Sequence, residues 1–417
     1  MKILDVTDPL SITQVAAAVT SQKSSPASVV TVDVPGTGTR TLLAIGVDQT
    51  RSALGVRLDK PSAWRTPGNA ADLVIITHES LKDSYAQLQA LRRSQGLKVA
   101  LVDVEDLYDE FNFGNKSPQV IKDFLAYAKT NWKTAPKYVL LAGSASYDPK
   151  NYHGFGAYDL VPTKLIDTLV TETASDDWFA DFDLDGIAEM AVGRLPTSTS
   201  EEAQSTVTKL IIYDNSAALN SSLLVADANQ NYDFEAANDS IAALFPGSIT
   251  VQKIDRGQVG TVTAKQQLLD GIAAGQKIVN YVGHGSPSIW RDSLLTAADA
   301  LSLTNTGRYP LFIAMTCLNG EFQQPQLNPL ATALMNSREG GAIAVWASSG
   351  MTAPSAQSLM NQQFYTTLFQ TNGPAKGKSA QAPLTLGQIT NNAKSAVADP
   401  DVRRTWILFG DPSMIVK

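Results

Sequence analysis

The stretch KIVNYVGHGSPSIWRDSLLTAADALSLTNTGRYPLFIAMTC, residues 277–317, decides the architecture. It opens on an apolar run that ends in Gly-His-Gly, passes through the helix-like LTAADALSLT (295–304), and closes on a second apolar run, YPLFIAMTC (309–317), that ends in cysteine. Two short apolar runs separated by one helical segment read as fully buried parallel strands joined by a crossover. In such sheets functional side chains gather just beyond the strand C-termini. Here those positions hold His284 and Cys317, 33 residues apart, which leaves room for one crossover and so for neighbouring strand tips.

The rhythm extends in both directions. Upstream lie SLLVADAN (222–229), the helical EAANDSIAALF, the strand SITVQKI and the helical TAKQQLLDGIAAG; downstream lie NPLATALMNS and the strand GAIAVWASS (341–349). An earlier series alternates ADLVIITHES, KDSYAQLQALRRSQG, LKVALVDVEDLY (97–108), SPQVIKDFLAYAKTNW (117–132) and KYVLLAGSA (137–145). The reading is an α/β chain with a mainly parallel sheet covered on both faces. Before PSAWRTPGNA (61–70) the chain changes character, with short β segments at 28–34, 41–47 and 55–59. The expected organisation is a β-rich segment over 1–68, a first α/β subdomain over 69–217 and a catalytic α/β subdomain over 218–417. The tail TWILFGDPSMIVK (405–417) is expected to form a last strand followed by a Gly-Asp-Pro turn.

Composition narrows the function. With 33 basic and 40 acidic residues in 417, the formal charge of −7 argues against nucleic acid as a partner. No apolar run approaches the roughly 20 residues of a membrane helix, and 44% hydrophobic with 18% charged residues is globular. Residues 1–20 meet Asp5 and Asp8 before any apolar stretch and do not read as a secretory signal. One cysteine and three histidines exclude an internal disulfide and a structural zinc site. No phosphate-binding Gly-rich loop, Gly-x-Ser-x-Gly elbow or His-Glu-x-x-His helix occurs.

A thiol and an imidazole at adjacent strand tips fit nucleophilic catalysis. Cys317 would attack a carbonyl, His284 would act as acid and base, and the N–H groups of Gly285 and Cys317 would form an oxyanion hole. The competing reading makes Cys317 a buried small hydrophobe and His284 a turn residue; the joint placement of the two favours catalysis. Trp290 and Trp346 follow the catalytic strands closely and are expected either to line a substrate cleft or to pack in the core. In DFDLDGIAE, the alternating Asp181, Asp183 and Asp185, the turn at Gly186, the Ile187 carbonyl and Glu189 suggest a structural calcium loop; Val192 stands where a bidentate Glu would close it, so the reading is a non-EF-hand calcium site or else an acidic surface turn.

YVGHGSPSIWRD and FIAMTCLNGEF resemble the His and Cys motifs of the gingipain-type cysteine peptidases of the caspase-like clan. The likeness extends to residues 71–111, to Ala-Val-Gly-Arg-Leu-Pro (191–196) and to the closing residues, covering roughly 70–417. It implies a caspase-like three-layer α/β/α sandwich and peptide hydrolysis through a thioester on Cys317, with His284 as the catalytic histidine and no cofactor in catalysis. The family's third group, an acid after the first strand of the catalytic subdomain, falls near Asp227 or Asn229. An acid at the base of the primary pocket, for cleavage after Arg or Lys, falls at Asp233, which also reads as a helix N-cap. The resemblance further implies a protein or peptide substrate and a bacterial secreted or surface protein, monomeric or part of a longer polypeptide. A sorting transpeptidase or a silent assembly module are the alternatives.

Overall fold

The computed structural model describes residues 1–21, 28–34, 36–49, 52, 58, 60–156, 158–371 and 383–417. The chain divides into two compact units, Met1–Pro61 and Ser62–Lys417. The break precedes the Pro/Gly-rich joint because Trp64 already packs with Phe124 and Trp132, and Glu110 accepts hydrogen bonds from the Trp64 and Arg65 amides. The first unit contains antiparallel pairings of Lys2–Asp5 with Thr13–Val15 and Leu42–Ile45, and of Ala17–Ser21 with Ser28–Val32. The expected segment over 55–59 falls largely outside the described residues.

The second unit is built on a single sheet of ten strands. In chain order they are β1 (Leu73–Thr77), β2 (Val99–Asp103), β3 (Tyr138–Ala142), β4 (Ala191–Leu195) and β5 (Ser221–Ala226). They continue as β6 (Thr250–Asp255), β7 (Ile278–Val282), β8 (Leu311–Met315), β9 (Ala344–Ser348) and β10 (Trp406–Phe409). The spatial order is β6-β5-β7-β8-β9-β10-β4-β3-β1-β2. All neighbours run parallel except β9 and β10, which are antiparallel. The sheet therefore consists of two parallel halves of opposite direction, joined where the last strand of the chain enters between them. Helices cross over between parallel strands, as that topology requires.

The local signals act as their chemistry dictates. Helix α1 (Glu79–Ser94) is capped by the His78 ring, which accepts from the Ser80 amide. Helix α2 (Pro118–Asn131) starts on a Ser117 cap with proline in its first turn, and helix α3 (Ser200–Asn215) starts on a Thr199 cap. The inner strands β1, β3, β4, β7, β8, β9 and β10 are buried along their whole length. No helix among the described residues is long and apolar enough to cross a membrane.

Buried ions hold the joint between the halves. Arg194 on β4 is 0% exposed. It pairs with Asp176 at 2.8 Å, donates to the carbonyls of Gly143, Val161 and Pro162, and lies over the Phe322 ring. After β10 the expected turn forms: Asp411, fully buried, accepts from Arg92 of α1 at 2.6 Å and from the amide and hydroxyl of Ser413. Lys394 pairs with buried Asp177 and donates to the Trp406 carbonyl. Removing one member of a buried pair strands the other charge. Arg194→Ala is thus expected to lower unfolding free energy by about 3–5 kcal/mol, measured by denaturant titration against a surface Arg→Ala control.

Candidate active site

The β7–β8 ladder runs in register from Ile278↔Leu311 to Val282↔Met315, and the Gly283 amide extends it by donating to the Met315 carbonyl at 3.2 Å. His284 and Cys317 thus stand at equivalent positions just beyond two adjacent parallel strands, whose spacing is about 4.8 Å. The structure brings the two expected residues to neighbouring tips, with His284 exposed and Cys317 half-buried.

Glycine on either side of the histidine answers a packing demand. A Cβ on Gly283 would lie 2.4 Å from the Asp227 Cβ, and one on Gly285 would lie 2.7 Å from the Thr316 hydroxyl oxygen. These glycines let the histidine loop close onto the sheet and onto the residue before Cys317. Beyond Gly285 the chain folds into a small hairpin, Gly285–Ser286 against Ile289–Trp290, and Arg291 donates its amide to the His284 carbonyl at 2.9 Å. Tyr281 donates its hydroxyl to the same carbonyl at 2.7 Å. Burial pushes that phenol well above its ordinary value, so it stays protonated and can only donate here.

Cys317 leads into a tight turn in which Leu318 takes φ = 64°, and the Asn319 amide donates to the Cys317 carbonyl at 2.8 Å. A non-glycine residue in this region stores of the order of 1–3 kcal/mol of strain, a frequent feature of functional turns. The sulfur lies against the backbone of Thr352, just past β9: it accepts from the Thr352 amide at 3.5 Å and faces the Thr352 carbonyl at 3.6 Å. Burial pushes the Cys317 thiol above its ordinary value, and the Thr352 amide pulls it back in part.

Asp227, directly after β5, is fully buried, and none of its hydrogen bonds goes to the imidazole. It accepts the His284 backbone amide at 3.1 Å, the Ala228 amide at 2.7 Å, and two N–H groups of Arg256, which also pairs with Asp292. Asn229 points elsewhere: its carbonyl oxygen accepts the Phe234 and Glu235 amides, and its amide donates to Asp233. Among the described residues no side chain hydrogen-bonds the His284 ring. Its neighbour is Phe234, edge-on at 5.3 Å.

Asp233 is the N-cap of the helix Phe234–Ala242, accepting the Ala236 amide through Oδ1. The two tryptophans occupy the core instead of a cleft wall. Trp290 is 0% exposed and stacks on Tyr281 with centroids 4.1 Å apart; Trp346 is 0% exposed within β9 and packs against Phe364 and Trp406. A position soon after a strand does not fix which way a large ring turns, and burial of that much apolar surface decides it.

In the acidic loop, carboxylate oxygens of Asp181, Asp183 and Glu189 lie within 4.8 Å of one another. Asp185 departs from the expected set: it lies outside this cluster, and its Oδ1 accepts the Ile187 amide. Asp181 is buried, and burial raises its carboxyl above the usual range despite amide bonds such as that from Gly186. Three hard oxygens around one point suit calcium, which asks for six to eight.

Sequence reasoning did not single out Thr352, Arg256 or Phe234. Thr352 reaches Cys317 only through the β8–β9 pairing, and Arg256 reaches Asp227 through β5–β6, so neither has a local signal. Asn319 was visible only as part of the Cys-x-Asn-Gly exit.

Comparisons with known proteins bear on the family and the fold. The model of peptidase family C25 matches residues 66–417. Gingipain R2 of Porphyromonas gingivalis is 24% identical over 249 residues, 55% of this chain and 33% of its own length. Lys-gingipain of the same bacterium is 27% identical over 168 residues, 37% of this chain and 9% of its own. The matched region thus spans a third or less of these relatives. The crystal structure of the Arg-specific cysteine proteinase gingipain R superposes with a TM-score of 0.69 at 20% identity, covering 86% of this chain and 80% of that one. The complex of gingipain R pro- and mature domains gives a TM-score of 0.68 at 19% identity, covering 83% and 79%. The caspase-like α/β fold expected from the sequence is therefore shown.

A thiol raised by burial forms its thiolate later in a pH titration than a free one. Alkylation of Cys317 by iodoacetamide is expected to climb through the alkaline range with a midpoint above the ordinary thiol value. Mass-spectrometric labelling rates across pH check this; a midpoint below neutrality would mean a preformed thiolate.

Proposed function

This chain belongs to peptidase family C25, and from that premise we propose that it is a cysteine endopeptidase working through Cys317 and His284. The observation that carries the reading is the in-register pairing of β7 with β8, which sets the two tips side by side.

In this mechanism the Cys317 sulfur attacks the scissile carbonyl as His284 takes its proton. The resulting oxyanion is met by the N–H groups of Gly285 and Cys317, and His284 returns the proton to the departing amine. Water then releases the acyl group from its thioester. Because burial favours the protonated thiol, the sulfur gives up its proton as attack proceeds. Arg256 neutralises Asp227, leaving that carboxylate to hold the histidine backbone.

Cleavage after Arg or Lys is proposed from the names of the relatives. Asp233 lies beside Phe234 on the histidine side; Oδ1 serves the helix cap, and Oδ2 carries no hydrogen bond among the described residues, so it is the oxygen offered to a basic side chain. We also propose a bacterial protein acting outside the cell, with calcium held by Asp181, Asp183 and Glu189 in a structural role. Ligation there would tie together the loop between the 3-10 turn Asp177–Phe179 and β4 and would supply no chemistry to the thiol.

Profiling a peptide library tests the reading. Wild type is expected to cut after basic residues, and Cys317→Ala to fall at least about 10⁴-fold. Full activity in the variant removes the mechanism, and capture of the acyl group by an added amine in place of water would indicate a transpeptidase.

For the acidic loop, added calcium is expected to raise the thermal midpoint of wild type, by ligand linkage to the folded state. The shift should vanish in Asp181→Asn, as read by differential scanning fluorimetry with and without chelator. An equal shift in both proteins would place the ion elsewhere.

A further inference from the structure

We propose that Asn319 is the positioning residue that locks the nucleophile's turn to the histidine's loop, with the Trp290 indole as its counterpart. The inference rests on the peptidase reading and adds a residue that touches neither substrate nor reacting atoms.

Past the ends of β7 and β8 the sheet no longer holds the two loops together, the last ladder bond being Gly283 N–H to Met315. Among the described residues, Asn319 is the one side chain that hydrogen-bonds from the Cys317 turn into the loop that follows His284. It is 1% exposed. Its Oδ1 accepts the Trp290 Nε1–H at 2.8 Å, and its Nδ2 donates to the Ser286 carbonyl at 2.7 Å and, more weakly, toward Ile289 at 3.4 Å. The orientation of the amide is fixed by its partners, because an indole N–H can only donate and a carbonyl can only accept. Aspartate could not make the second bond, and leucine could make neither.

The main chain of the same residue completes the bridge. Its N–H closes the turn onto the Cys317 carbonyl, and its carbonyl accepts the Ala331 amide at 3.0 Å. Ala331 lies in the helix Leu330–Asn336, whose first amide donates to Pro287 in the histidine loop. On the far side Trp290 stacks on Tyr281 with an interplanar angle of 8°, and Tyr281 in turn holds the His284 carbonyl. A continuous path of buried, satisfied groups therefore runs from the Cys317 turn to the His284 backbone. This also accounts for the burial of Trp290: its ring belongs to the site's scaffold.

A displacement of about 1 Å between reacting groups costs on the order of 10²-fold in rate. Releasing this clamp should accordingly slow attack without weakening substrate binding. The test uses Asn319→Ala and Trp290→Phe in the full chain. The latter keeps an aromatic ring against Tyr281 while removing the indole donor and some ring volume, so its kcat, KM and pH profile decide the matter if Asn319→Ala does not fold.

Asn319→Ala is expected to lose about 10²-fold in kcat/KM, almost all in kcat, with KM preserved; Trp290→Phe should move the same way to a smaller extent. Rates are expressed per active site titrated with a thiol-reactive probe. The pH profile of kcat/KM should also change shape, its remaining activity following thiol ionisation once His284 no longer reaches the sulfur in register. Unchanged kcat per titrated site and an unchanged profile in the folded variants would overturn the proposal, since that is what a purely structural role gives. Wild-type hydrolysis that Cys317→Ala abolishes stands as the control, and with it intact a negative result sinks only the role of Asn319. A wild type without thiol-dependent hydrolysis overturns both readings.

Discussion

The arrangement depends on the register of β7 against β8. A slip of one residue would turn every side chain of a strand to the opposite face, and in strands buried on both faces no such slip is tolerated. The pairing Val282↔Met315 is therefore fixed by the core, and the positions of His284 and Cys317 follow from it. The neighbours extend the same logic. Across the contiguous order β5-β7-β8-β9, each strand delivers one group from its C-terminal end: Asp227, His284, Cys317 and Thr352. The candidate site is a cross-section of one sheet edge.

Thr173 and Ala174, from the segment between β3 and β4, hydrogen-bond Ser349 at that edge, but the single antiparallel step between β9 and β10 explains why no strand in the first half of the unit ends there. Its strands run the other way, so their C-terminal ends open on the opposite side. That half carries instead the buried pairs Arg194–Asp176 and Arg92–Asp411, which anchor the inserted last strand. Such pairs lose more in desolvation than a hydrophobic replacement would. Their geometry fixes the level at which β10 enters: Arg194 stands opposite Phe409 in the ladder while its guanidinium is held by three carbonyls and a carboxylate.

Much of this was legible in the sequence where the signal was local. Apolar runs bounded by helices gave the parallel strands, and Gly-His-Gly and a terminal cysteine at two strand exits gave the two candidate residues. What stayed hidden is decided by partners distant along the chain. Asp227 reads as a catalytic acid until Arg256, one strand over, takes its charge. Asp233 carries the signals of both a cap and a specificity residue, and only the Ala236 and Asn229 bonds show where Oδ1 is spent. Trp290 and Trp346 follow β7 and β8 in sequence, but their rings are buried in the core. Asp185 fits the spacing of a calcium ligand, yet its carboxylate finds the nearer Ile187 amide.

The treatment of the imidazole carries the consequence furthest. A carboxylate on the ring would both fix its direction and favour its protonated form. Here the nearest buried carboxylate holds the backbone, is neutralised by a guanidinium, and leaves the ring to an edge-on contact with Phe234. Orientation of the ring must then come from how accurately its backbone is placed, since no side-chain hydrogen bond corrects an error downstream. That shifts the demand onto the scaffold: the Asp227 bond to the His284 amide, the Tyr281 and Arg291 bonds to its carbonyl, and the two glycines that let the loop lie close. For the proposed reaction, a site organised this way suits a nucleophile that rests as a buried thiol, because placement of its partner would be supplied by the backbone and not by an ion pair formed beforehand.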